Sequence, residues 1–283
     1  LERIPVFSGR IKKEYSIMLT VLITYCGVGV VAGFLAGLLG IGGGLVIVPM
    51  LVYVMGTQGV SPEVLMHLAL GTSMASIMFT SVSSFMAHHR RGAVRWEVVR
   101  RIVIGIFTGT FLGSCIAAAM STAFLKGFFC VFLYGVATQM LINKKPKASR
   151  ELPGTPGMFA VGNVIGGVSS LVGIGGGTLS VPFMVWCNIP IHHAIGTSAA
   201  IGLPIAVAGT AGYMFNGLGI ASLPAYSMGY ISLPALLGIV CTSILTAPLG
   251  VRLAHRLPVD KLKRVFALLL YLVGTKMLVG LIG

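Results

Sequence analysis

One stretch of this chain is written twice. GLLGIGGGLVIVPML at 37–51 returns as SLVGIGGGTLSVPFM at 170–184, with the same GIGGG, the same Val-Pro pair (Val48-Pro49 and Val181-Pro182) and a matched earlier glycine (Gly33, Gly166). A second block follows in the same order: HLALGTS at 67–73 and HHAIGTS at 192–198. A third matches Leu112-Gly113, Leu125-Lys126, Leu133-Tyr134, Thr138 and Met140-Leu141 with Leu249-Gly250, Leu262-Lys263, Leu270-Tyr271, Thr275 and Met277-Leu278. A repeat of this extent fixes the architecture before any single residue is interpreted. Whatever the first half folds into, the second half folds into again.

The solvent of that fold is lipid. Of the 283 residues 56% are hydrophobic and 9% charged, with a mean hydropathy of +0.97, whereas soluble domains carry charge on roughly a quarter of their residues. Uncharged runs long enough to cross a bilayer recur along nearly the whole chain, so the fold class is an all-α polytopic membrane bundle with no soluble domain. Each copy reads as five apolar segments: about 17–39, 44–56, 64–87, 98–120 and 123–142, then 157–173, 177–187, 193–215, 227–251 and 259–282. The second segment of each copy reaches only about 16 to 20 Å as a helix, against a hydrocarbon core of about 30 Å. These two pieces are expected to be half-helices after a break, giving roughly eight to ten transmembrane segments in all.

Residues 1–16 form a basic interfacial segment, 17–143 the first membrane repeat, 144–156 a basic linker and 157–283 the second repeat. The run from 16 to 39 is too long and Gly-rich for a cleaved signal peptide and is taken as a mature span. The net charge of +14 is divided among short clusters between apolar runs. That distribution argues against nucleic acid and for basic cytoplasmic loops at 88–101, 144–156 and 252–264. The basic loop follows the third segment in the first copy but the fourth in the second, so the charge pattern inverts between copies. Five crossings or crossing-equivalents per copy would then set the copies in opposite orientations. The basic residues Arg3, Arg10, Lys12 and Lys13 resist that plan, because they prefer the cytoplasm and it places them outside; a parallel four-span repeat satisfies them but exports the 252–264 cluster.

The chemistry concentrates where side chains are missing. Gly40, Gly42, Gly43 and Gly44, and again Gly173, Gly175, Gly176 and Gly177, permit backbone angles closed to other residues. A half-helix starting after such a break presents unpaired amide donors and the positive end of its dipole, which suits an anion. Irregular backbone at membrane depth needs protein or a cavity around it, so two breaks point to one shared site. The competing reading is that the glycines serve close helix packing. Neither copy continues into the Gly-Lys-Ser/Thr of a nucleotide loop. Thr72, Ser73, Thr197 and Ser198 add hydroxyl donors to the candidate site, unless they bond back to the preceding helical turn. His67 and His192 begin their segments and are candidates for gating or interfacial structure. Lys276 and its matched Gln139 are the polar pair of the last segments, with snorkelling or an electrostatic contribution to anion passage as alternatives.

The six acids all lie in the amino-terminal stretch or near loops. Any ion coupling would therefore rest on histidine, hydroxyls or carbonyls. No catalytic set and no metal cluster is indicated, no cofactor is called for, and the five scattered cysteines read as small packing residues.

On the paired GIGGG stretches and the GTS triplets, the chain resembles the TauE/SafE family of sulfite and organosulfonate exporters over most of its length. The resemblance implies a multi-pass protein of the bacterial inner membrane that moves small sulfur-containing anions such as sulfite or sulfoacetate; a homodimer is compatible with it. The sequence alone also allows an uncoupled anion channel or a membrane scaffold or assembly factor.

Overall fold

The computed structural model describes residues 5–39, 43–142, 150–254 and 259–282. These form ten helices: α1 (Pro5–Leu39), α2 (Gly44–Thr57), α3 (Pro62–His89), α4 (Trp96–Ala119), α5 (Thr122–Ile142), α6 (Thr155–Val172), α7 (Gly177–Trp186), α8 (Ile191–Asn216), α9 (Leu233–Ala254) and α10 (Val259–Ile282). Among the described residues the only β pairing is an isolated bridge between Ser227 and Ser232. Seven helices are long and apolar enough to cross a membrane. Of the others, α2 and α7 are short, and α10, 24 residues long, carries charge in its first turns and an apolar run after them.

Two boundaries differ from the sequence reading. Helix α1 begins at Pro5, not near 17, because charge marks a change of solvent without breaking a helix: Arg10 to Glu14 are good helix formers, and a proline suits a first turn. Helix α9 begins at Leu233, not 227. The preceding segment holds Tyr226 and Gly229 at positive φ (62° and 57°), and Leu233 N–H donates to the Tyr226 carbonyl at 3.1 Å, a tight turn that cannot be helical.

The ten helices pair in matched sets. Helices α1 and α9 run parallel: β-carbons added to Gly29, Gly33 and Gly37 would strike the backbone of Ile239, Ser243 and Ala247 in turn. Helices α4 and α6 run parallel in the same way, Gly105 against Phe159 and Gly109 against Asn163. Lipid tails offer no hydrophobic drive between helices, so small residues every fourth position let the backbones approach and gain dispersion contact. In α9 the positions that match Gly105 and Gly109 of α4 are Thr242 and Thr246, and Thr242 Oγ1 donates to the Cys26 carbonyl of α1 at 2.8 Å.

Two pairs of helices that match each other pack antiparallel. Tyr134 and Thr275 hydroxyls are 2.9 Å apart and Thr138 and Tyr271 hydroxyls 2.6 Å apart, joining α5 to α10 through one pair of equivalent residues used twice. Helices α3 and α8 do likewise, with Gly209 facing Met74 and Gly202 facing Ser81, which puts the matched residues Phe79 and Pro204 at one level of the pair, the Phe79 side chain turned outward. These two helices are the core, 89% and 72% buried over their most apolar stretches, whereas α5 is 33% buried and turns residues such as Val131 outward.

The described basic loops gather at one end. Arg91 Nη1 donates to the Val251 carbonyl at 3.0 Å, His193 Nδ1 lies 3.3 Å from the Ala93 carbonyl, and the Arg150 guanidinium lies 4.8 Å from the centre of the Trp186 ring. The Leu19 end of α1 lies at the opposite end, beside the start of α9.

Candidate functional site

The glycine motif ends one helix and starts another. Helix α6 stops because Gly173 adopts φ 69°, with Gly173 N–H donating to Ser170 O and Ile174 N–H to Ser169 O, the paired bonds of a Schellman ending. Helix α7 starts after Gly176 at φ 73° and α2 after Gly43 at φ 78°. Gly40 and Gly42 lie outside the described residues. Val46 and Ile47 N–H share the Gly43 carbonyl, and Leu179 and Ser180 N–H share that of Gly176. The amides of Gly44, Leu45, Gly177 and Thr178 therefore stand at helix starts, where no intrahelical acceptor exists. The two breaks touch: a β-carbon on Gly44 would collide with the Gly173 carbonyl and lie 2.9 Å from the Ile174 Cα. Pro49 and Pro182, each five residues into its short helix, leave the Leu45 and Thr178 carbonyls without the usual donor.

The GTS triplets serve the same junction. Thr72 Oγ1 accepts from the Ser232 N–H and Thr197 Oγ1 from the Arg95 N–H, both at 2.9 Å, so each threonine ties its core helix to the segment before the fourth helix of the opposite copy. Ser73 Oγ donates to the Gly173 carbonyl at 2.8 Å, binding α3 to the second break. Ser198 lines a crevice.

That crevice, with about 210 Å³ of space between atoms, is bounded by Ala36 of α1, Thr80, Ser81 and Ser84 of α3, Gly175 of the second break, and Ser198, Ala199 and Gly202 of α8. It is closed, since no point within it accommodates a water-sized sphere. Thr80 Oγ1 is 3.0 Å from the Ser76 carbonyl and 2.8 Å from the Ser243 hydroxyl of α9. The Ser84 hydroxyl is buried without a hydrogen-bond partner, a cost of about 1 to 3 kcal/mol that a bound acceptor would relieve. One turn on, buried His88 places Nε2 3.3 Å from the Gly37 carbonyl, as the matched Tyr213 hydroxyl donates to the Ser170 carbonyl at 2.9 Å.

Thr80, Ser81, Ser84 and His88 were passed over in the sequence reading, which followed the repeat, and these residues are not repeated. Their signal was a polar run, TSVSS at 80–84, inside an otherwise apolar helix, with spacing that puts Thr80, Ser81, Ser84 and His88 on one face.

The remaining candidates lie apart from this junction. His67 Nε2 meets the Ala117 and Met120 carbonyls at 3.2 and 3.0 Å, capping α4, and its ring stacks on Tyr230 at 5.0 Å. Burial pushes the Tyr230 phenol pKa up, which keeps that partner neutral. His192 is exposed. Gln139 is exposed on α5, and Lys276 of α10 places Nζ 3.8 Å from the centre of the Tyr53 ring of α2. Among the described residues no three His, Cys, Asp or Glu side chains group to hold a metal.

The sequence profile described as "Sulfite exporter TauE/SafE" matches residues 25–277. A probable membrane transporter protein of Haemophilus influenzae is 41% identical over 92% of this chain and 99% of its own length. One from Methanocaldococcus jannaschii is 26% identical over 95% and 98%, and YunE of Bacillus subtilis, also a probable membrane transporter protein, is 27% identical over 67% and 77%. No solved structure matches. With a bundle of apolar helices broken twice at GIGGG and a family match that runs from α1 to α10, this multi-pass membrane protein belongs to the sulfite exporter TauE/SafE family.

Proposed function

We propose that this protein exports small sulfur-containing anions, sulfite or organosulfonates, across the bacterial inner membrane by alternating access at a site beside the two glycine breaks. The observation that carries this reading is the closed crevice at the core crossing, lined by hydroxyls and by the second break and lacking any charged side chain among its lining residues. Helix-start amides and hydroxyls there replace the water around an anion's oxygens. A closed site buried between two antiparallel copies of one helix suits a carrier that opens to one side and then the other.

The same reading takes the two copies as inverted repeats. A two-fold axis along the membrane normal would pair matched helices in parallel, whereas one in the membrane plane pairs them antiparallel, as in α5 with α10 and α3 with α8. On this plan the end carrying Arg91, Arg150 and Arg252 is cytoplasmic, and the amino end of α1 is outside despite its basic residues. Gly173, Gly176 and Ser73 hold the breaks in contact, and His67, His192, Gln139 and Lys276 have supporting or gating roles outside the crevice.

The test is flux in proteoliposomes loaded with a sulfonate. Gly176→Ala should lose counterflow while inserting normally, because a side chain at φ 73° distorts the helix start. Undiminished exchange in that variant would remove the break from the mechanism, and conductance without counterflow would make the protein a channel.

A further inference from the structure

The two breaks are duplicated, yet the side chains beside them are not. The crevice lies toward the basic end of the core crossing, Ser84 being five residues beyond Phe79, about 7 Å at 1.5 Å per residue. At the matched positions toward the other end, Thr80 is replaced by Ile205, Ala199 by Met74, Gly202 by Ile77 and Ser84 by Gly209. Those apolar side chains fill the matched volume: the Ile205 Cδ1 reaches the position a Gly176 β-carbon would take, and the Met74 Sδ lies 3.0 Å from where one on Gly209 would be. Met74, Ile77 and Ile205 are fully buried. Among the described residues the crevice therefore lies off-centre, and its lining offers hydroxyls and backbone but no charged side chain.

From this we infer that the crevice is an off-centre substrate site selective for monovalent oxyanions. The inference rests on the transport reading above and narrows its substrate class. The cost of transferring an ion from water scales with the square of its charge, so a dianion entering an uncharged crevice meets about four times the penalty of a monoanion. Hydroxyls and helix-start amides can offset a single delocalised charge spread over several oxygens, as oxyanion sites without salt bridges do. A dianion would need a fixed cation. The titratable group on the same face of α3 is His88, one turn beyond Ser84. The cations beyond it, Arg90 and Arg91 at the end of α3 and Arg252 in the last turn of α9, are exposed, as is His192 at the start of α8, while His193 is half-buried against Ala93. Hydrogensulfite and simple alkanesulfonates fit; the sulfite dianion, sulfate and sulfoacetate do not.

The experiment uses the full chain in proteoliposomes, with uptake of methanesulfonate, sulfate, sulfoacetate and sulfite measured from mildly acidic to mildly alkaline pH. Methanesulfonate should be taken up saturably with sulfate and sulfoacetate at least about tenfold slower, and sulfite uptake should fall with rising pH as hydrogensulfite is lost. Methanesulfonate, whose charge is constant across this range, supplies the reference profile. His88→Gln, which keeps a donor for Gly37, should preserve the preference for monoanions. Thr80→Ile, which fills the crevice as Ile205 fills its counterpart, should abolish methanesulfonate uptake and protection from heat by methanesulfonate. The mirrored Ile205→Thr should retain both, and the pair guards against a general packing defect. Dianions carried as well as monoanions, or unimpaired methanesulfonate uptake in Thr80→Ile, would overturn the inference and leave the transport reading standing. Uptake of no anion would overturn both.

Discussion

The two GIGGG motifs are identical in sequence, yet alanine should be tolerated differently in each. Consider Gly43→Ala and Gly176→Ala. Both glycines sit in the left-handed region, at φ 78° and 73°, so each substitution incurs about 1 to 2 kcal/mol from the clash of Cβ with its own backbone. Their surroundings differ. The new methyl at 43 would lie 2.7 Å from the Ala32 carbonyl oxygen and 3.2 Å from its carbon, rigid helix backbone that moves only if α1 moves, which adds about 1 to 3 kcal/mol of overpacking. At 176 the nearest atom is the Ile205 Cδ1, the tip of a side chain that can change rotamer for about 1 kcal/mol or less. Gly43→Ala should therefore be the more damaging by about 1 to 2 kcal/mol. The assay is reversible unfolding in mixed micelles followed by the fluorescence of Trp96 and Trp186, with Gly43→Asn as the control that relieves the φ cost but keeps the clash. Equal losses at the two sites, or a larger loss at 176, would refute the contact argument.

Other tests address the plan of the bundle. Tyr134→Phe and Tyr271→Phe each remove one of the twinned bonds to Thr275 and Thr138, and should cost the same small amount, about 0.6 kcal/mol each in a membrane setting; clearly unequal losses in the same unfolding assay would break the symmetry. With the native cysteines replaced, single cysteines at Gly92 and Glu151 should react with an impermeant thiol reagent only in inside-out vesicles, and those at Ser121 and Gly219 only in intact cells. Labelling of 92 and 121 from the same side would overturn the orientation.

Much of the fold was legible because the solvent leaves so few options. Apolar runs of spanning length can only be helices in lipid, and the breaks at GIGGG follow from glycines next to a proline-bearing short segment. The charge inversion between loops anticipated that Arg91 and the end of α9 at Val251 share one end. What sequence could not provide was the direction of the hydroxyls. Thr72 and Thr197 each accept a hydrogen bond from a backbone amide far along the chain, at Ser232 and Arg95, because the third helix of one copy packs on the fourth of the other. His67, a candidate for gating or for interfacial structure, caps α4, fifty residues away.

By itself the sequence determined that the chain is a doubled helical membrane protein interrupted at two glycine motifs, since composition and period depend on local chemistry alone. The tertiary structure decided which side chains stand beside the second of those motifs. A crevice is a difference between side chains contributed by α1, α3 and α8 and by a loop from the opposite copy. Its position beside Thr80 and Ser84, where the matched residues are Ile205 and Gly209, depends on distances between residues more than a hundred positions apart, which no local pattern encodes.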